Sequence, residues 1–152
     1  MQARMKNPAT VLPGVTTAVK HLVKAANTGG LPEVTLELVH LRASQINGCS
    51  ACVWGAGKGQ HSDEVQEKLW AVSAWREAPC FDDAERAALS LAEHVTRLAD
   101  ISTDAVPDEL WTELTKHYDE SQLAALILWI ATTNFFNRLN ATVKEPAGVV
   151  WS

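Results

Sequence analysis

Apolar residues recur three and four positions apart along most of the chain, a spacing that predicts helices. Val15, Ala18, Val19, Leu22, Val23 and Ala26 form one such series, opened by Pro13-Gly14 and closed after Asn27 by Thr28-Gly29-Gly30. Glycine is a common residue just past a helix end. Pro32 stands in the first turn of a second helix that carries Leu36, Val39, Leu41, Ala43 and Ile46 and stops at Asn47-Gly48. A short helix follows to about Trp54, where Gly55, Gly57 and Gly59 weaken further helix. Ser62 caps the next, with Val65, Leu69, Val72 and Trp75 as its stripe, and Ala78-Pro79 breaks it. Asp82 and Glu85 have the spacing of a capping box for a helix to about Leu98. Pro107 opens another, with Leu110, Trp111 and Leu114 inward. Asp119 and Gln122 open the last, 120–139, which is apolar nearly all round and so expected to be buried on most sides.

No stretch alternates like a strand between hairpin turns. The pattern predicts an all-α bundle of about seven helices in a single domain over 1–152, with 1–12 and 141–152 as irregular arms. Trp70, Trp75, Trp111 and Trp129 read as core. Trp54 reads as a pocket-lining residue.

Candidate chemistry concentrates between Glu37 and His61. The helix over 32–46 ends at Gly48, and the chain restarts on Cys49-Ser50-Ala51-Cys52. Cysteines three apart on a helix share a face and can reach disulfide separation. A helix start also favours thiolate over thiol, which by itself singles out Cys49. Glu37 lies on the preceding helix, and the tight Asn-Gly turn can return it to the pair as a proton acceptor. His40 and His61 are alternative proton relays. Gly55 to Gly59 resembles a phosphate loop only faintly, because no strand precedes it and no Ser or Thr follows Lys58. Asn134, Asn137, Arg138 and Asn140 punctuate an apolar helix end; buried amides must find partners, in a neighbouring helix or a second subunit.

Composition narrows the reading. The net charge is −5 without a long basic run, which argues against nucleic acid. No apolar run is long enough for a membrane span, and the N-terminus lacks the apolar core of a secretory signal, so a cytoplasmic location is expected. Hydrophobic residues make up 47%, which fits a large core or an oligomer interface. Three cysteines are an odd number, and the cytoplasm disfavours structural disulfides. A zinc site would need His61, His40 or Cys80 to complete it, with no second CxxC. The pair therefore reads as redox-active, with no cofactor and no metal.

Leu41-Arg42-Ala43-Ser44-Gln45-Ile46-Asn47-Gly48-Cys49-Ser50-Ala51-Cys52 resembles the signature of the carboxymuconolactone decarboxylase family, in its alkylhydroperoxidase D-like branch. Ala74-Trp75-Arg76-Glu77, Phe81, Glu85-Arg86-Ala87-Ala88-Leu89 and Asn134 with Asn137 to Asn140 extend the similarity over about Pro32 to Ala147. The resemblance implies a helical fold assembling as trimers or hexamers. It also implies a dithiol peroxidase or thiol-disulfide oxidoreductase acting on hydroperoxides in antioxidant defence. Cys52 is then the attacking thiol, Cys49 the resolving one and Glu37 the acid of the relay. A lipoyl- or thioredoxin-type reductant restores the dithiol. The sequence departs from the family's CxxCxxxH at Ala56, where the relay histidine would stand, and Ala51 replaces a second histidine found in some members. His61 or His40 is the candidate substitute. The alternatives are a carboxymuconolactone decarboxylase-like enzyme or a weakly catalytic redox-sensing oligomer.

Overall fold

The computed structural model describes residues 2–56, 58–100 and 104–148. The expectations for Gly57 and for the end of the tail, 149–152, lie outside the described residues. Eight α-helices and no strands occur among the described residues. They are α1 (Pro8–Val11), α2 (Val15–Asn27), α3 (Glu33–Ile46), α4 (Ser50–Ala56), α5 (Asp63–Ala71), α6 (Asp83–Thr96), α7 (Asp108–His117) and α8 (Glu120–Val143). The all-α expectation holds.

Helix α3 is the centre, packing against α4, α6 and α8. Its neighbouring residues Leu38 and Val39 enter two different apolar clusters. Val39 joins Leu91, Leu126 and Ile130 from α6 and α8. Leu38 and Leu41 join Leu69, Val72, Trp75 and Leu89. Burial on two sides explains why α3 shows no clean polar face. Trp129 pins α8 to α3 by donating its indole N–H to the Leu36 carbonyl, 2.7 Å away. Gly29 permits a close approach after α2, because a side-chain carbon there would collide with Ala125 of α8.

Helix starts follow the sequence closely. Asp82–Glu85 and Asp119–Gln122 form complete capping boxes, and Ser62 caps α5. Other expectations need correction. The arm 1–12 contains α1, capped by the Asn7 side chain and tied to the end of α8 by the bond from Arg4 N–H to Val143 O. Helix α8 runs to Val143 rather than 139, and α4 reaches Ala56. Trp75 is buried, but Trp70 is 78% exposed and Trp111 is 42% exposed. Trp70 points one residue off the Leu69–Val72 stripe, and Trp111 lies at the margin of the face that buries Leu114. Helix α8 is likewise not covered all round, since Ile127 and Phe135 stay exposed. No helix among the described residues is long and apolar enough to cross a membrane.

Several residues of the sequence signature are held together by one carboxylate. Glu93 on α6 accepts from Arg42 of α3, from the Trp75 indole and from Arg76 at 2.7, 2.9 and 2.7 Å. Burial would push its carboxyl upward, but the bonds from Arg76, Trp75 and Arg42 outweigh this and hold its pKa at about 2. This ion cluster locks α3, α6 and the turn after α5 into one frame, from which the α3–α4 corner projects.

Candidate active site

The corner is built by a Schellman motif. Gly48 takes a left-handed φ of 64°, Gly48 N–H bonds to Gln45 O, and Cys49 N–H bonds to Ser44 O. The chain thus reverses within two residues and α4 starts at Ser50. Cys49 and Cys52 are joined by a disulfide, with Cα atoms 5.4 Å apart. Cys52 N–H points at the Cys49 sulfur, 3.4 Å away. Cys49 is 1% exposed and Cys52 is 9% exposed, so Cys52 is the more accessible of the two.

The side chains that meet the sulfurs come from α8. Asn137 Nδ2 donates to Cys52 Sγ at 3.2 Å and to Ser44 Oγ at 3.0 Å. Asn140 Nδ2 donates to Cys52 Sγ at 3.3 Å and to Cys49 Sγ at 3.7 Å. Behind them stand two more asparagines. Asn47 Nδ2 donates to Asn137 Oδ1 at 2.9 Å, and Asn7 Nδ2 donates to Asn140 Oδ1 at 2.8 Å. Two of the amides singled out in the sequence, Asn137 and Asn140, thus meet the cysteine sulfurs of their own chain, while Asn134 bonds Thr96 and Asn47. Asn7 and Asn47 were not anticipated. The readable signal was three asparagines at positions 134, 137 and 140, on one face of an otherwise apolar helix.

Glu37 and His61 form a separate pair. His61 Nδ1 lies 3.3 Å from Glu37 Oε2. They line a cavity of about 360 Å³ together with Glu33, Val34 and Val65. Burial raises the Glu37 pKa above 4.5; the nearby His61 opposes this and Glu33 adds to it. The two are at ion-pair distance, and Nδ1 is the ring nitrogen that faces the carboxylate. The other, Nε2, is buried with no hydrogen-bond partner among the described residues. It rests against Gly59, where a side-chain carbon would strike the ring.

Ala56 is one turn from Cys52 on α4, and it packs on the cluster that includes Val34 and Val65, which also wall the Glu37–His61 cavity. His40 is elsewhere: it bonds Thr133 Oγ1 at 3.2 Å, packs near Trp129, and burial lowers its pKa to about 4. Cys80 is a free, half-buried thiol. Trp54 lines an open apolar pocket of about 500 Å³ with Ser50, Val53 and Ala147, and Lys58 lies 4.6 Å from its ring centre. No group of three or more His, Cys, Asp or Glu among the described residues is arranged to hold a metal ion.

Comparison with known proteins bears on this arrangement. The family model of the carboxymuconolactone decarboxylase family matches residues 13–94. An uncharacterized protein of Bacillus subtilis strain 168, YdfG, is 34% identical over 125 residues, covering 82% of this chain and 83% of that protein. Uncharacterized YnjA of Escherichia coli K12 is 35% identical over 118 residues, covering 77% of this chain and 63% of YnjA. A crystal structure from Agrobacterium tumefaciens superposes with a TM-score of 0.84 at 27% identity, covering 98% of this chain and all of that one. That protein is of unknown function and has been proposed as an antioxidant defence protein, AhpD.

Proposed function

The chain belongs to the carboxymuconolactone decarboxylase family, and from that premise we propose that it is a dithiol peroxidase that reduces hydroperoxides. In the reduced protein the Cys52 thiolate attacks the outer peroxide oxygen. The O–O bond breaks, Cys52 becomes a sulfenic acid, and the departing alkoxide takes a proton to leave as an alcohol. The Cys49 thiol then attacks the sulfenic sulfur, forming the disulfide and releasing water. An external dithiol of the lipoyl or thioredoxin type reduces the disulfide by exchange and is itself oxidised.

The observation that carries this reading is the Cys49–Cys52 disulfide at the α3–α4 corner, with Cys52 the more accessible sulfur. Glu37 and His61 are the proposed proton relay. Glu37 faces Nδ1 of the imidazole, and Nε2 takes the thiol proton and returns one to the alkoxide by way of intervening water. With Ala56 in place of a histidine beside Cys52, the relay works from a distance, and the enzyme is slow rather than inert.

We propose further that the protein is a homo-oligomer, supported by the exposed Leu22, Ile127 and Phe135 on α2 and α8. A reducing cytoplasm suits a dithiol that must be regenerated.

The test is consumption of cumene hydroperoxide with dihydrolipoamide as reductant. Multiple turnovers that disappear in Cys52→Ser support the proposal. A single oxidation without turnover, or no oxidation at all, rejects it.

A further inference from the structure

We propose that Asn137 and Asn140 hold the Cys52 sulfur as a thiolate in the reduced protein, and that Asn47 and Asn7 fix which end of each amide faces it. This deepens the peroxidase reading, on which it rests.

An asparagine amide has a donor end and an acceptor end, and only the donor end stabilises a thiolate. Which end faces the sulfur is therefore the decisive feature, and here each amide is constrained from behind. Asn137 Oδ1 is taken by Asn47 Nδ2, so its own Nδ2 turns to Ser44 and Cys52. Asn140 Oδ1 is taken by Asn7 Nδ2, so its Nδ2 turns to the two sulfurs. The outer residues are oriented in turn. Asn7 Oδ1 accepts from Ala9 N–H as the cap of α1, and Asn7 Nδ2 also donates to Glu145 Oε2 at 3.1 Å. Asn47 Nδ2 also donates to Asn134 Oδ1 at 2.9 Å. Asn137 is fully buried, and Asn7 and Asn140 nearly so. The charged groups that join the network are Glu145, through Asn7, and Arg138, through Asn134. Neither bonds a sulfur.

In the disulfide these buried donors face neutral sulfur, a weak acceptor. Reduction and ionisation of Cys52 give them an anion, and charge-assisted bonds are roughly twice as strong as neutral ones. The two amides thus favour the reduced, ionised state over both the thiol and the disulfide. They supply by hydrogen bonding part of what an imidazole beside Cys52 would supply by charge. They also select Cys52 over Cys49, whose nearest donors are one backbone N–H and the longer bond from Asn140.

The test titrates Cys52 alone, in a Cys49→Ser/Cys80→Ser protein, by thiolate absorbance in the ultraviolet. Asn137→Ala and Asn140→Ala are each expected to raise the Cys52 pKa by about one unit. Asn7→Asp keeps the cap acceptor for α1 but removes the donor to Asn140, and is expected to raise it by a smaller amount. In the protein with both cysteines, the same asparagine variants should shift the equilibrium with glutathione toward the disulfide by about tenfold for the alanines. Should an alanine variant fail to fold, Asn140→Asp, equal in shape, and Asn7→Asp carry the test. A Cys52 pKa unchanged across the folded variants overturns the proposal. None of these readings uses peroxide. A shifted pKa in a protein that consumes no peroxide keeps the amide pair and rejects the peroxidase, while turnover with an unshifted pKa does the reverse.

Discussion

His61 presents Nδ1 to the Glu37 carboxylate at 3.3 Å while its Nε2 stays buried and unbonded among the described residues. In the proposed relay this pair would carry the proton between the thiol and the departing alkoxide. Glu37→Gln and His61→Ala are therefore each expected to lower kcat/KM for hydroperoxide by about 10²-fold. Because burial raises the Glu37 pKa above 4.5, protonation of this carboxyl should affect the acid side of the rate profile at a higher pH than an ordinary glutamate would, and Glu37→Gln should change the shape of that side. A pH profile of kcat/KM in both proteins checks this. Identical profiles would exclude Glu37 from the relay.

Position 56 gives the complementary experiment. Helix α4 persists through Ala56, so a histidine there shares a face with Cys52 and enters the apolar cluster on which Ala56 packs. Ala56→His is expected to raise peroxide turnover at least tenfold. The larger ring must enter an apolar cluster, which should cost about 1–3 kcal/mol of stability. Turnover and melting temperature measured together test both halves. An unchanged rate, combined with abolition by His61→Ala, would show that His61 already does the whole task.

The Glu93 cluster predicts an acid sensitivity. Its folded pKa of about 2 lies below the unfolded value of 4.5. Stability from this group is thus fully present above about pH 4.5 and is lost as the pH falls toward 2. Glu93→Gln should flatten that part of the stability curve, and Glu93→Ala should cost about 3–5 kcal/mol by leaving Arg42 and Arg76 without their partner. Urea titrations at pH 7 and pH 3.5 would test both. An equal loss of stability on acidification in Glu93→Gln and in the parent would assign the sensitivity elsewhere.

Much of the scaffold was legible because its determinants are local. Asp82 with Glu85, Asp119 with Gln122, and Gly48 after Asn47 fix helix ends within a few residues of themselves, and the structure uses all three. The four-residue helix α1 was not legible, since it depends on Asn7 docking against residues 133 and 138 positions away. Helical spacing also misjudged Trp70 and Trp111, because a stripe gives the direction of burial and not how far along the surface a neighbouring helix extends. The cysteine pair was read from its spacing and its place at a helix start after Gly48, and the roles of its two thiols from the family resemblance. Its asparagine surroundings were not, since Asn137 and Asn140 reach Cys52 across 85 and 88 residues. The sequence could flag buried amides on α8 but not what they would face.

The central claim is that Cys52 attacks a hydroperoxide and Cys49 resolves it. The most direct measurement treats reduced protein with one equivalent of hydroperoxide in the presence of a sulfenic-acid trap and reads intact and peptide masses. The account predicts loss of two hydrogens in the native protein through a Cys49–Cys52 disulfide. It predicts a trapped adduct on Cys52 in Cys49→Ser and no peroxide consumption by the pair in Cys52→Ser. An adduct on Cys49 in Cys52→Ser, formed at the native rate, or stable sulfinic acid on both cysteines of the native protein, would contradict it.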